Sequence, residues 1–237
     1  MAITLASASS RWINIGSGVA TFQNLAAATT SIWVKPASTI GSGSRGVTGF
    51  STGTADTTAR CSLEQTSSGW QIVARRLDAD SAQIAGGGSV TVGTVYHLVG
   101  VTNYAGGHLK LYINGAIVTT TNVAGWTANT SNTTSNKSSL GAEEDGGSSW
   151  FDGTIDDARI YTRALSAQEI ANLYNARGAD SIVNGLVHRW KMNESYPTAT
   201  ASGASSVKDT AGTIHITPTA SPVYAEALVR STRRRRR

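Results

Sequence analysis

Short apolar runs cut apart by clusters of Gly, Ser, Asn and Asp dominate this chain, and strands are what such runs form. Residues 31–35 (SIWVK), 70–74 (WQIVA), 96–102 (YHLVGVT) and 109–113 (LKLYI) are rich in β-branched and aromatic side chains, either alternating or continuously apolar. Asn114-Gly115 separates 110–113 from 116–120 and marks a hairpin, because a type I′ turn needs positive φ at both central residues. The stretches 41–44, 86–89 and 129–136 read as loops. Glycosylation-like triplets in the last of these read only as polar loop composition.

One short helix is expected at about 167–177. Ser166 and Glu169 form a capping box, Leu165 and Ile170 a hydrophobic staple, and Ile170, Leu173 and Tyr174 an apolar stripe. Gly178 is expected to end it. Many short strands with one small helix predict an all-β fold, a two-sheet antiparallel jelly-roll sandwich.

Composition narrows the function classes. A chain of 237 residues buries roughly 70% of its unfolded surface, enough for a substantial core. One Cys excludes an internal disulfide framework and zinc sites built on several thiolates. No apolar run is long enough for a membrane helix, and the first residues lack the basic and apolar regions of a signal peptide. Only 15% of residues are charged. The run Arg233, Arg234, Arg235, Arg236, Arg237 accounts for the whole formal net charge of +5, so the rest of the chain is neutral. No basic stripe for specific nucleic-acid binding is visible. The run reads either as a solvated terminus or as an anchor offering guanidinium forks to an acidic neighbour.

Residues 150–174 (WFDGTIDDARIYTRALSAQEIANLY) resemble the closing segment of laminin-G-like modules of the concanavalin A-like lectin/glucanase group. The hairpin at 95–115 and the strand at 30–36 are similar to two further segments of that family, with Tyr96 where Trp is usual and Asn114 where Asp is usual. The resemblance implies a jelly-roll body over 1–178. Residues 185–194 and 207–212 resemble the family's opening segment, yet here they follow the helix. Residues 179–230 are therefore expected to complete the sandwich, either within one permuted chain or in a neighbour by strand exchange, with 231–237 as a basic tail.

Chemistry finds little support. Glucanases of this fold group use two carboxylates facing one groove, and no strand carries such a pattern. Asp156 and Asp157 are adjacent and are expected on opposite faces, with Asp156 held by Arg159 or by backbone amides. Glu143, Glu144 and Asp145 form an acidic loop that could hold calcium, which the resemblance allows, although a solvated turn is the simpler reading. No other cofactor is implied. His97, His108, His188 and His215 lack metal-ligand spacing, His97 reads as a packed residue, and Cys61 as a small buried one. No enzymatic activity is expected.

Binding remains. Trp126 and Trp150 flank polar loops and are the candidate sugar platforms, while Trp12, Trp33, Trp70 and Trp190 read as core. A neutral, hydroxyl-rich body with a cationic end suits a phage virion decoration protein docked on the major capsid protein or another virion subunit, as a homo-oligomer on the capsid surface. That reading is placed ahead of an extracellular glycan-binding module.

Overall fold

The computed structural model describes residues 1–16, 22, 24–51, 60–77, 79–126, 137–143, 148–203 and 206–229. Their strands form two antiparallel sheets. The first runs in the order β10 (Ala116–Asn122), β9 (His108–Ile113), β8 (Tyr96–Asn103), β3 (Ala27–Pro36), β12 (Gly153–Tyr161), β1 (Ala2–Leu5), β15 (Val223–Ala225), with β13 (Leu186–Trp190) also paired to β12. The second runs β14 (Thr217–Thr219), β2 (Trp12–Asn14), β11 (Lys137–Leu140), β4 (Ser44–Ser51), β5 (Ser62–Thr66), β6 (Gly69–Ala74), β7 (Gln83–Gly87). This is the two-sheet jelly-roll architecture expected from the strand pattern.

The central strands of the first sheet, β3, β8 and β12, are buried on both faces, which is why β8 in particular runs nearly continuously apolar. Ile32, Val34, Leu98, Leu109 and Leu111 point into the core between the sheets, against Leu63, Trp70 and Ile72. Alternate residues Val99, Val101 and Tyr112 point outward and meet Ile170 and Leu173 of α1 (Ala167–Ala176). Ser166 caps α1 as expected: its hydroxyl accepts from the Glu169 amide at 3.3 Å, and Glu169 accepts from the Ser166 amide at 2.9 Å. The left-handed turn that ends α1 begins at Arg177 (φ 46°), one residue before Gly178.

Asn114 (φ 53°) and Gly115 (φ 82°) form the hairpin between β9 and β10. A Cβ at Gly115 would press on Tyr174 and Ala171 of α1, so the glycine serves both the turn and the helix approach. Residues 86–89 depart from expectation. Gly86 and Gly87 belong to β7 rather than to a loop, because a Cβ at Gly87 would collide with Val118 of β10 and the bare backbone lets the two strands meet.

The chain's later strands pair with its own earlier ones: β13 with β12, β14 with β2 and β15 with β1. Trp12, Trp33, Trp70 and Trp190 are buried, as is Cys61, whose thiol pKa is pushed up by burial. No helix among the described residues is long and apolar enough to cross a membrane.

Candidate functional site

An open groove of about 400 Å³ lies where the loop after β3 meets the start of β4 and the approach to β12. It is lined by Ser7, Thr39–Ser42, Ser44, Arg45, Ser149 and Trp150. Local backbone chemistry builds it. The Gly46 amide donates to the Ser149 carbonyl at 2.9 Å, and Gly46 forms a parallel bridge with Trp150. A Cβ at Gly46 would overlap the backbone of Ala142 and Glu143, so only glycine lets these segments close on β4. Trp150 is thereby held half-buried, with the remainder of its surface on the groove.

The polar lining is ordered by a relay. Arg45 donates through Nη1 to the Ser38 hydroxyl at 2.7 Å, which donates to Asp152 Oδ2 at 2.6 Å. The Gln65 side-chain amide holds the Ser38 carbonyl at 2.9 Å. Ser44 donates to Glu143, whose carboxylate is buried behind the groove. The result is one indole face, one cation and several hydroxyls, a lining suited to a polyhydroxylated ligand.

A second cleft, of about 200 Å³, is lined by Asp156, Asp157, Arg177, Gly178, Arg189, Lys191 and their neighbours. Here the expectation that Asp156 and Asp157 point to opposite faces fails. The ladder between β12 and β3 slips after Asp156, and Asp157 takes φ 44°, so both carboxylates reach one cleft. Asp157 is gripped by Arg159 (2.6 Å) and Arg189 (2.7 Å). Burial would push its pKa up, but these guanidinium groups hold it below the ordinary carboxylate range. Asp156 accepts from the Leu228 and Val229 amides at 3.0 and 3.2 Å. Its pKa is raised from 3.8 to about 7, because burial outweighs the N-terminal ammonium charge and those amides. Both acids are consumed by the chain's own donors.

The family model described as the concanavalin A-like lectin/glucanases superfamily, a laminin-G-like family, matches residues 7–171. The chain belongs to this superfamily. A Bacteroides ovatus protein named for carbohydrate binding superposes with TM-score 0.68 at 14% identity over 95% of this chain; the chain spans 60% of that protein's length. A Ruminococcus gnavus sialidase carbohydrate-binding module bound to α2,3-sialyllactose matches with TM-score 0.54 at 17% identity, over 73% of this chain and 96% of the module. Domain 4 of a Geobacillus stearothermophilus arabinanase, in complex with arabinotriose, matches with TM-score 0.50 at 18% identity, over 73% and 76%. At these identities the likeness is one of fold. No curated protein matches the sequence.

The superfamily fold does not bring the two candidate tryptophans together. Trp126 lies in a separate groove of about 180 Å³ with Arg76, Asp80, Ser81 and Gln83. Its ring packs on Tyr104 at 5.1 Å between centroids, which commits one face to the core. Glu143 is buried against Ser44, while Glu144 and Asp145 lie outside the described residues. Among the described residues no cluster of three or more metal-ligating side chains occurs. Arg233, Arg234, Arg235, Arg236 and Arg237 also lie outside the described residues.

His97 is buried between Ser31, which it meets through Nε2 at 2.8 Å, and the ring of Trp33 at 4.7 Å. Burial, reinforced by the Arg159 charge, lowers its pKa to about 3, so it stays neutral. Two features escaped the sequence reading. Arg45 is one; its signal was a lone charge directly after the Gly-Ser loop at 41–44. The other is Asp209, whose carboxylate accepts from the amides of Arg189, Ala211, Gly212 and Ile214 and meets His188 Nδ1 at 2.6 Å. Burial opposes its ionisation, but this donor cage keeps its pKa below the usual range. Asp209 is a structural hub for the 207–216 loop.

Proposed function

We propose that the chain is a non-catalytic glycan-binding module that takes its ligand in the Trp150 groove. The observation that carries this reading is the pairing of a half-exposed indole with Ser42, Ser44, Arg45 and Ser149 in one open groove. Aromatic rings offer apolar faces to sugar C–H groups, and surrounding hydroxyls fix orientation. The sialyllactose and arabinotriose bound by the Ruminococcus and Geobacillus modules support a saccharide for this fold. The engagement of Asp156 and Asp157 by internal donors supports a binding role over hydrolysis, which needs a free acid and a free base. A glycan array tests it. Signal lost in Trp150→Ala and kept in Trp126→Ala is the expected result, and a blank array at high protein concentration would overturn it.

A second reading, docking of the arginine tail on an acidic protein surface such as a virion shell, draws on Asp156. It holds the Leu228 and Val229 amides, so the chain is tied to the body up to Val229. Deleting 233–237 is expected to abolish attachment to the particle at moderate salt. Unchanged occupancy would remove this reading.

A further inference from the structure

Among the described residues, Arg45 is the one charged side chain lining the Trp150 groove. Its guanidinium makes a single hydrogen bond within the described residues, from Nη1 to the Ser38 hydroxyl, and enters no ion pair there. The two acids nearest in the network are already taken: Asp152 accepts from Ser38, and Glu143 accepts from Ser44. Because the Ser38 hydroxyl donates onward to Asp152, its oxygen can only accept from Arg45, which fixes the orientation of the cation. Among the described residues Nε and Nη2 take no acceptor, and Arg45 lines the same groove as Trp150.

A half-buried guanidinium that meets Asp152 only through the Ser38 hydroxyl, and not in a direct ion pair, keeps its fork for a ligand and favours an anionic one over a neutral one, since charge-assisted forks are the stronger contacts. Resting on the reading of this groove as the glycan site, we propose that its ligand is an acidic saccharide whose carboxylate is bound by Arg45 while a sugar ring lies against Trp150. Ile40 and Trp150 supply the apolar contact, and Thr39, Ser42 and Ser149 face the ring hydroxyls. Ser38 is a positioning residue: it aims the guanidinium and does not line the groove.

The test is calorimetric titration of the full chain with matched sugars: cellobiose against cellobiouronic acid, lactose against sialyllactose, and lactose sulfate. A carboxylated member of a pair is expected to bind at least about tenfold more tightly than its neutral partner, and Arg45→Gln to erase that preference, a loss of about 10- to 100-fold. Arg45→Gln is expected to leave the thermal midpoint unchanged, and Ser38→Ala to weaken only the acidic ligands. Equal binding of neutral and acidic members, unaffected by Arg45→Gln but lost in Trp150→Ala, overturns this proposal and leaves the glycan site standing. Preference for the sulfated sugar alone overturns the carboxylate assignment. Binding of none of these sugars overturns both.

Discussion

The guanidinium of Arg159 forks onto the carboxylate of Asp157, two residues back on the same strand, with Nη2–Oδ2 at 2.6 Å and Nε–Oδ1 at 3.2 Å. The other side of Arg159 reaches Asp180 beyond α1 at 2.8 Å, and Asp157 also takes Arg189 from β13. The cluster is nearly fully buried and ties β12, β13 and the post-helix segment together. Removing one partner strands a buried charge. Arg159→Met is therefore expected to lower unfolding free energy by about 3–5 kcal/mol. A urea unfolding curve checks this, and a midpoint equal to that of the unmodified chain contradicts it.

Asp156 sets a pH dependence of opposite sign to that of most carboxylates. Its pKa rises from 3.8 to about 7 on folding, so between those values the folded state holds the extra proton. Stability from this group is present at low pH and is lost as pH rises towards 7, with a steepest slope of about 1.4 kcal/mol per pH unit. Asp157, Arg177, Arg189, Lys191 and Met1 share its cleft, the Met1 ammonium lowering its pKa and the Asp157 charge raising it. Asp156→Asn keeps an acceptor for the Leu228 and Val229 amides and is expected to flatten the fall. Thermal midpoints measured from pH 5 to 8 decide the matter.

The two sheets are also closed along one edge by side chains. Thr119 and Thr121 of β10 donate to the carbonyls of Gly86 and Ile84 in β7, each at 2.8 Å. These hydroxyls satisfy edge carbonyls that would otherwise face solvent or a second chain. Replacing both with Val keeps β propensity and shape but removes the donors. The double variant is expected to lose about 1–3 kcal/mol, at 0.5–1.5 kcal/mol for each bond, and to associate more readily. Unfolding curves and light scattering read the two effects.

The scaffold was legible because its signals are local. The apolar runs of β3 and β8, Asn114-Gly115, and the Ser166–Glu169 box each act over a few residues. The site was less so. Trp150 could be picked out as an aromatic beside polar loops, but Arg45 and Ser38 join it only through the long-range pairing of β4 with the approach to β12. The pairing of Asp156 with Asp157 in one cleft was misjudged for a related reason. Strand periodicity holds only for regular backbone, and the ladder slip after Asp156 is a tertiary feature. Gly86 and Gly87 misled in the same way, since glycine serves a close strand approach as readily as a loop.

Gly46 joins scaffold and site in a single residue. Its amide holds Ser149, its bridge places Trp150, and its missing side chain admits the backbone of Ala142 and Glu143. Backbone atoms in a sheet cannot yield to a methyl group as a flexible side-chain end can. Gly46→Ala is therefore expected to force Ala142, Glu143, Ser149 and Trp150 away from β4, moving Trp150 off the groove even where the rest of the sandwich folds. The cost is on the order of 1–3 kcal/mol, the range for overpacking a tight core. Near-ultraviolet circular dichroism and tryptophan emission report the displaced indole, and sugar titration reports the lost site. A variant with native emission and undiminished binding would mean that Gly46 does not set the position of Trp150.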